Sequence, residues 1–285
     1  MTRTLTLSKY QACGNDFVIS ADLGDEHPLK PDDVTALCDR RRGVGADGVI
    51  RATGGTAAPF AMHLTNADGS FAEMSGNGVR CLAAFLFEGG YADSYEIEVE
   101  TPAGVRRVTL DHGPSGVAGA VVSMGRPSFV RGDIPMAGDP LDTFISQPVV
   151  LDEGRTALGT AVGIGNPHLV VFVRDEGDLA RIERLGPLLE RDARFPERTN
   201  VEFAHVTPGG IDVRVWERGV GETLACGTGG CAVAAAGEAT GLMGDGAAIR
   251  FPGGALAVRR RGDGELLLSG PVTHVFDGSV DLDRL

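Results

Sequence analysis

The chain has 285 residues, 42 of them Gly and 5 Cys, with 26 basic against 39 acidic side chains and a formal charge of −13. Gly at about twice its usual share of ~7%, without a Gly-X-Y period and in a chain that is 42% hydrophobic, excludes collagen and disorder and leaves one large domain or two smaller ones. The acidic balance excludes a nucleic-acid groove or a surface for anionic membranes, and no apolar run approaches the ~20 residues of a membrane span.

In chain order, residues 2–10 alternate as a strand and 14–20 continue as a second after a turn. Residues 31–41 read as a helix, with Pro31 in its first turn and acidic residues at its start. A Gly-rich turn at 43–48 runs into a strand, and 60–69 form another that ends at Asp68-Gly69. Residues 76–90 read as a buried helix stopped by Gly89-Gly90. Three successive antiparallel strands follow to residue 125. The second half follows the same plan. It has strands over 148–173 with a Gly-Asn-Pro-His turn before the last, a helix over 178–192, a hairpin turning at Gly209-Gly210, a small-residue helix from 227, and closing strands to 271.

The two small-residue helices suggest an internal duplication. Ser75-Gly76-Asn77-Gly78 corresponds to Cys226-Gly227-Thr228-Gly229, each followed by an apolar helix and offset by 151 residues. The expected fold class is α/β (α+β): two pseudo-symmetric halves, each a mostly antiparallel sheet wrapped around a central apolar helix. The halves are 1–125 plus 273–285, carrying Ser75, and 126–272, carrying Cys226. A helix N-terminus exposes unpaired N–H groups and partial positive charge, so it binds a carboxylate readily. A Cys just before such a terminus is expected to have its pKa lowered from about 8.5. If the halves face each other across a pseudo-twofold axis, residues 75 and 226 flank one ligand. That suits inversion of a carbon centre by proton removal on one face and delivery on the other. Amides at both helix ends would stabilise the developing enediolate.

Seven strings in this order resemble the diaminopimelate epimerase family: 14–17, 40–49, 66–81, 165–168, 185–190, 195–203 and 217–232. The resemblance implies a cofactor-independent amino-acid epimerase that interconverts LL- and meso-diaminopimelate in lysine and cell-wall precursor biosynthesis, commonly as a homodimer. It implies Cys226 as one catalytic thiol. It implies that backbone groups of Gly76, Asn77, Gly227 and Thr228 hold the α-carboxylate. Side chains of Asn15, Asn66, Asn166, Asn200, Glu217 and Arg218 would bind the amines and the distal carboxylate, with His168 and Glu217 as polar residues near the thiols.

One position departs from the family pattern: the second catalytic Cys is expected at 75, and this chain has Ser75. Three readings stay open. Ser75 replaces a Cys by engineering; Ser75 is native, in an asymmetric Ser/Cys pair acting on the same or a related amino acid; or the protein keeps only binding. Glu73 and His168 are the candidate neighbours that could activate Ser75.

The remaining residues read more simply. Only Lys9 and Lys30 are lysines, and neither reads as a buried Schiff-base lysine, so pyridoxal phosphate is not expected. Cys38, Cys81 and Cys231 read as core packing, and Cys13 adjoins a turn that could line the site. The six His show no metal-ligand spacing, so no metal is expected. Trp216 reads as strand core. Arg40-Arg41-Arg42 read as the solvated, dipole-complementing end of a helix. The opening segment lacks a signal peptide's apolar core, so a cytoplasmic location is expected, with no membrane or nucleic-acid partner.

Overall fold

Strand β1 (Thr4–Ala12) and strand β2 (Asn15–Ala21) form an antiparallel hairpin whose turn places Cys13 and Gly14 at φ 52° and 79°. The computed structural model that shows this describes residues 3–72, 74–114, 116–151 and 155–285. Helix α1 (Pro31–Cys38) opens with Pro31 and with Asp32 and Asp33 in its first turn, where their charge suits the helix dipole. It carries the chain over to β3 (Gly48–Gly54), which lies parallel to β2. Strand β4 (Phe60–Asn66) runs back antiparallel to β3, and the short β5 (Phe71–Ala72) pairs with it. Helix α2 (Gly76–Glu88) then leads to β6 (Glu96–Thr101), parallel to β4, and to the antiparallel β7 (Gly104–Gly113) and β8 (Gly116–Gly125).

The same order recurs. Strand β9 (Gln147–Val150) pairs with β10 (Thr156–Gly163), which makes an antiparallel pair with β11 (Pro167–Val173). Helix α3 (Ile182–Glu190) crosses to β12 (Asn200–Thr207), parallel to β11. Strand β13 (Gly210–Glu217) returns antiparallel, with β14 (Gly221–Thr223) beside it. Helix α4 (Gly227–Ala239) leads to β15 (Gly246–Phe251), parallel to β13, and then to β16 (Gly254–Arg260) and β17 (Leu266–Pro271). Strand β18 (Thr273–Asp281) rejoins the start of the chain, antiparallel to β1.

The chain divides into two units, one of residues up to Ser123 with Gly270–Leu285, the other Met124–Ser269. Each mixes antiparallel ladders with two parallel pairs, and each parallel pair is bridged by a segment holding a helix, as parallel pairing requires a crossover. Helices α2 and α4 have 13 residues each. Residues 76–86 of α2 and 227–237 of α4 are all buried, so both helices are enclosed on every side over these stretches, as suits a helix wrapped by a sheet. Helices α1 and α3 instead bury one stripe. In the first unit, Val34, Leu37 and Cys38 pack with Leu7, Val18 and Val49. In the second, Ile182, Leu185 and Leu189 pack with Leu169, Val171, Val201 and Phe203.

Lys9 differs from its expectation, because it is buried. Its ammonium is 2.7 Å from Asp16 and donates to the carbonyl of Gly45, so its charge is matched within the first unit. Arg40 does not sit on the end of α1 but forms a two-pronged pair with Asp16 and reaches Asp47. Burial would raise the Asp16 carboxyl. The hydrogen bonds and charges of Arg40 and Lys9 outweigh it and hold Asp16 at about 2. That value is below an unfolded ~3.9, so the group stabilises the fold above pH ~4 and loses this contribution as pH falls through about 2. Urea melts across that window are expected to show a loss on the order of 2 kcal/mol that Asp16→Asn removes. An unchanged pH slope in the variant would refute the assignment.

Candidate active site

Two helix starts share one backbone conformation. Ser75 caps α2 at φ −141°, ψ 116°, and Cys226 caps α4 at φ −131°, ψ 118°. Each gives its carbonyl to the first helical hydrogen bond, from Val79 and Gly230 respectively, both at 2.9 Å. Gly76, Asn77, Gly227 and Thr228 are buried in the first turns, where backbone N–H groups lack helical partners and favour an anion.

In the second unit, Cys226 Sγ lies 3.4 Å from Glu217 Oε2, to which the thiol donates, and 3.4 Å from Thr228 Oγ1. Glu217 Oε1 accepts from the Thr223 hydroxyl. The expectation of a lowered Cys226 pKa is corrected. Burial, then the carboxylates of Glu217 and Glu202, push the thiol well up, and they outweigh the hydrogen bonds of Thr228 and the Gly229 amide. Burial likewise raises Glu217, which makes it a better acceptor for the thiol proton.

His168, at the start of β11, is fully buried, with Nδ1 2.6 Å from Glu202 Oε1 and Nε2 2.8 Å from Asn166 Oδ1. Asn166 Nδ2 points to Thr228 Oγ1 at 3.5 Å. Asn200 donates from Nδ2 to the carbonyl of Pro167 and accepts at Oδ1 from the Arg218 N–H, both at 2.9 Å, so it pins the residue that offers a guanidinium. That guanidinium has no hydrogen-bond or ion-pair partner among the described residues. It remains available as a two-pronged fork for a carboxylate.

In the first unit, Asn15 Nδ2 donates to Asp47 at 2.8 Å, and Asn15 Oδ1 accepts from Asn77 at 3.3 Å. Arg80, fully buried, reaches Asn77 Oδ1 at 2.7 Å and the Gly76 carbonyl at 3.1 Å. Asn66 donates to Ser70 in the adjacent turn. The Ser75 hydroxyl accepts from the Gly78 N–H at 3.0 Å, so it serves as a helix cap. Glu73 lies outside the described residues.

The residues pair by the same offset of 151: Asn15 with Asn166, Asn66 with Glu217, Ser75 with Cys226, and Asn77 with Thr228. Where the second unit sets a carboxylate against its thiol, the first has the amide of Asn66. Glu202, Asp47 and Arg80 were not singled out from sequence. Glu202 stands two residues after Asn200 on β12, a spacing that puts both on one face. Cys13, Cys38, Cys81 and Cys231 are all buried. Burial raises the thiols of Cys38 and Cys81 to about 11 and about 12. Trp216 packs against the second unit's core and donates to Glu190 at 3.0 Å. Among the described residues, no group of three His, Cys, Asp or Glu side chains is placed to hold a metal.

The fold is similar to that of a hydroxyproline epimerase from Agrobacterium vitis, with a TM-score of 0.73, 17% identity and coverage of 98% of this chain and 91% of the other. It is also similar to a probable proline racemase from Agrobacterium radiobacter K84, with a TM-score of 0.74, 16% identity and coverage of 99% and 94%. In sequence, the chain is 46% identical to a diaminopimelate epimerase from Desulforudis audaxviator, over 96% of this chain and 98% of that one. It is 40% identical to the one from Moorella thermoacetica, over 96% and 99%. The family model for diaminopimelate epimerase matches residues 7–130 and 160–275, so this chain belongs to the diaminopimelate epimerase family.

Proposed function

We propose that this protein is an isomerase that interconverts LL- and meso-diaminopimelate by removing and returning the α-proton, as a step of lysine biosynthesis and without a cofactor. The family match along nearly the whole chain carries this reading. The thiol of Cys226, set against Glu217 at the start of α4, supplies its chemistry.

The Cys226 proton passes to Glu217, and the thiolate takes the α-proton of one isomer. The electron pair left on the α-carbon spreads into the carboxylate. There the first-turn amides of Gly227 and Thr228 offset the charge, and the family resemblance gives the same task to those of Gly76 and Asn77. Arg218 takes the distal carboxylate. Asn15, Asn66, Asn166 and Asn200 orient the amines and the amides around them, and His168 supports Asn166. Inversion then needs an acid on the opposite face, and the family pattern gives that task to position 75. A hydroxyl is a poor match for a thiol there. Ser75 therefore slows epimerisation in both directions, and it slows α-proton exchange more for the isomer whose proton faces 75 than for the one whose proton faces Cys226.

Solvent deuterium incorporation, followed separately from each isomer, tests this. One isomer is expected to exchange its α-proton faster than it epimerises, and the other to exchange far more slowly. Equal exchange from both isomers sinks the one-base account, and no exchange from either sinks the epimerase reading. We further propose a homodimer in the cytoplasm, as the family resemblance implies. A monomeric mass in sedimentation, or recovery outside the cytoplasmic fraction, overturns that part. No helix among the described residues is long and apolar enough to cross a membrane.

A further inference from the structure

Glu202 lies on β12, and its carboxylate is fully buried. Strands β11 and β12 run parallel with His168 opposite Asn200, so Glu202 stands one step further along the same face of the sheet. Its Oε1 meets His168 Nδ1 at 2.6 Å, while Oε2 has no hydrogen-bond partner among the described residues. A buried carboxylate with an unmatched oxygen needs a cation beside it.

Two groups lie against the Glu202 carboxylate. It lies against the first turn of α4, so close that a Cβ at Gly229 would come within 2.8 Å of Oε1, and helix starts favour negative charge. His168 is the partner on its other side. On its far side, His168 Nε2 meets the carbonyl oxygen of the Asn166 amide at 2.8 Å. A carboxylate and an amide oxygen only accept hydrogen bonds. An imidazole between two acceptors satisfies both only by carrying an N–H on each nitrogen.

We propose that Glu202 is a positioning residue that holds His168 with both ring nitrogens protonated, which fixes the Asn166 amide with its NH2 group turned toward Thr228 and the substrate. The inference rests on the epimerase reading for its kinetic part only. With neutral His168 that keeps its proton on Nδ1, Nε2 becomes an acceptor and the Asn166 amide rotates, which takes the NH2 group away from Thr228 and changes what the amide presents to the substrate. Gly229 belongs to the same device, since a side chain there would displace the Glu202 carboxylate.

The test uses the full chain labelled with 15N-histidine, with the His168 signals assigned by their loss in His168→Gln. Wild-type protein at neutral pH is expected to show two ring N–H signals for His168. Glu202→Gln offers an acceptor for Nδ1–H but no negative charge, and is expected to lose the Nε2–H signal. Its KM for diaminopimelate is expected to rise about 10-fold with kcat changed less than ~3-fold, as loss of uniform substrate binding predicts. A variant that is merely destabilised would lower the yield of folded enzyme and leave KM alone. A single ring N–H on wild-type His168 overturns the proposal even if Glu202→Gln fails to fold. So does a folded Glu202→Gln protein with both signals or an unchanged KM. If the two signals are present and one is lost in the variant, but neither protein acts on diaminopimelate, the epimerase reading falls and the positioning stands.

Discussion

Ser75→Cys is expected to raise the rate of epimerisation at least 100-fold. A thiol titrates near ~8.5, while bulk water at ~15.7 sets an upper proxy for a hydroxyl. At about 1.36 kcal/mol per unit, Ser75 is disfavoured as a base by up to roughly 10 kcal/mol. Among the described residues, nothing around Ser75 offsets this. Its oxygen accepts from Gly78, and the residue that corresponds to Glu217 is Asn66, an amide that cannot take up a proton at neutral pH. The fold tolerates the exchange, because Cys226 occupies the same cap conformation in the second unit. The stability cost is that of a weaker cap, about 1 kcal/mol. Turnover of both isomers, measured by optical rotation or a coupled assay, decides the matter. A variant no faster than the parent would mean that the site is adapted to its hydroxyl.

Cys226→Ala is expected to abolish α-proton exchange, by a factor of at least 1,000, while substrate affinity changes only a few-fold. The side chain lost is the thiol set against a raised carboxyl, which the proposed mechanism uses as its base, so its removal would delete a transition-state role. The groups proposed to bind substrate remain, namely the helix-end amides and the Arg218 guanidinium. Calorimetric titration beside deuterium exchange separates an enzyme from a binder. If exchange persists in the alanine variant, Cys226 is not the base. If exchange is absent in both the parent and the variant while affinity persists, the protein is a binder.

Much of the architecture was legible in the residues. The small-residue runs from Gly76 and Gly227 announced two buried helices, because only a helix surrounded by sheet is apolar on every side. The matching tetrapeptides announced the duplication. Parallel pairing was not legible: β2 with β3 and β11 with β12 depend on crossovers through α1 and α3, and alternation along a strand carries no record of its neighbour's direction. At the site, Cys226 and Glu217 were named from the resemblance, and the structure brings them into contact. Asp47 was missed because its partner Asn15 is brought to it only by the fold, and Glu202 because a carboxylate buried by tertiary packing has the same local signature as one in solvent. The direction of the Cys226 shift was missed for the same reason. A helix start is visible in sequence, whereas burial beside two carboxylates is not.

The pairing of β1 with β18, from Thr4 opposite Asp281 to Gln11 opposite Thr273, sets the order in which a nascent chain can finish folding. A ribosome makes β1 before the second unit and β18 after it. The unit that holds β1 is thus the last to close its sheet, because residues 124–269 of the other unit are all made before β18. Synthesis order and completion order are reversed. Through most of translation β1 has an open edge waiting for its partner, a long interval of vulnerability to mispairing. A premature stop within codons 273–285 would strike the Ser75 unit and spare the Cys226 unit.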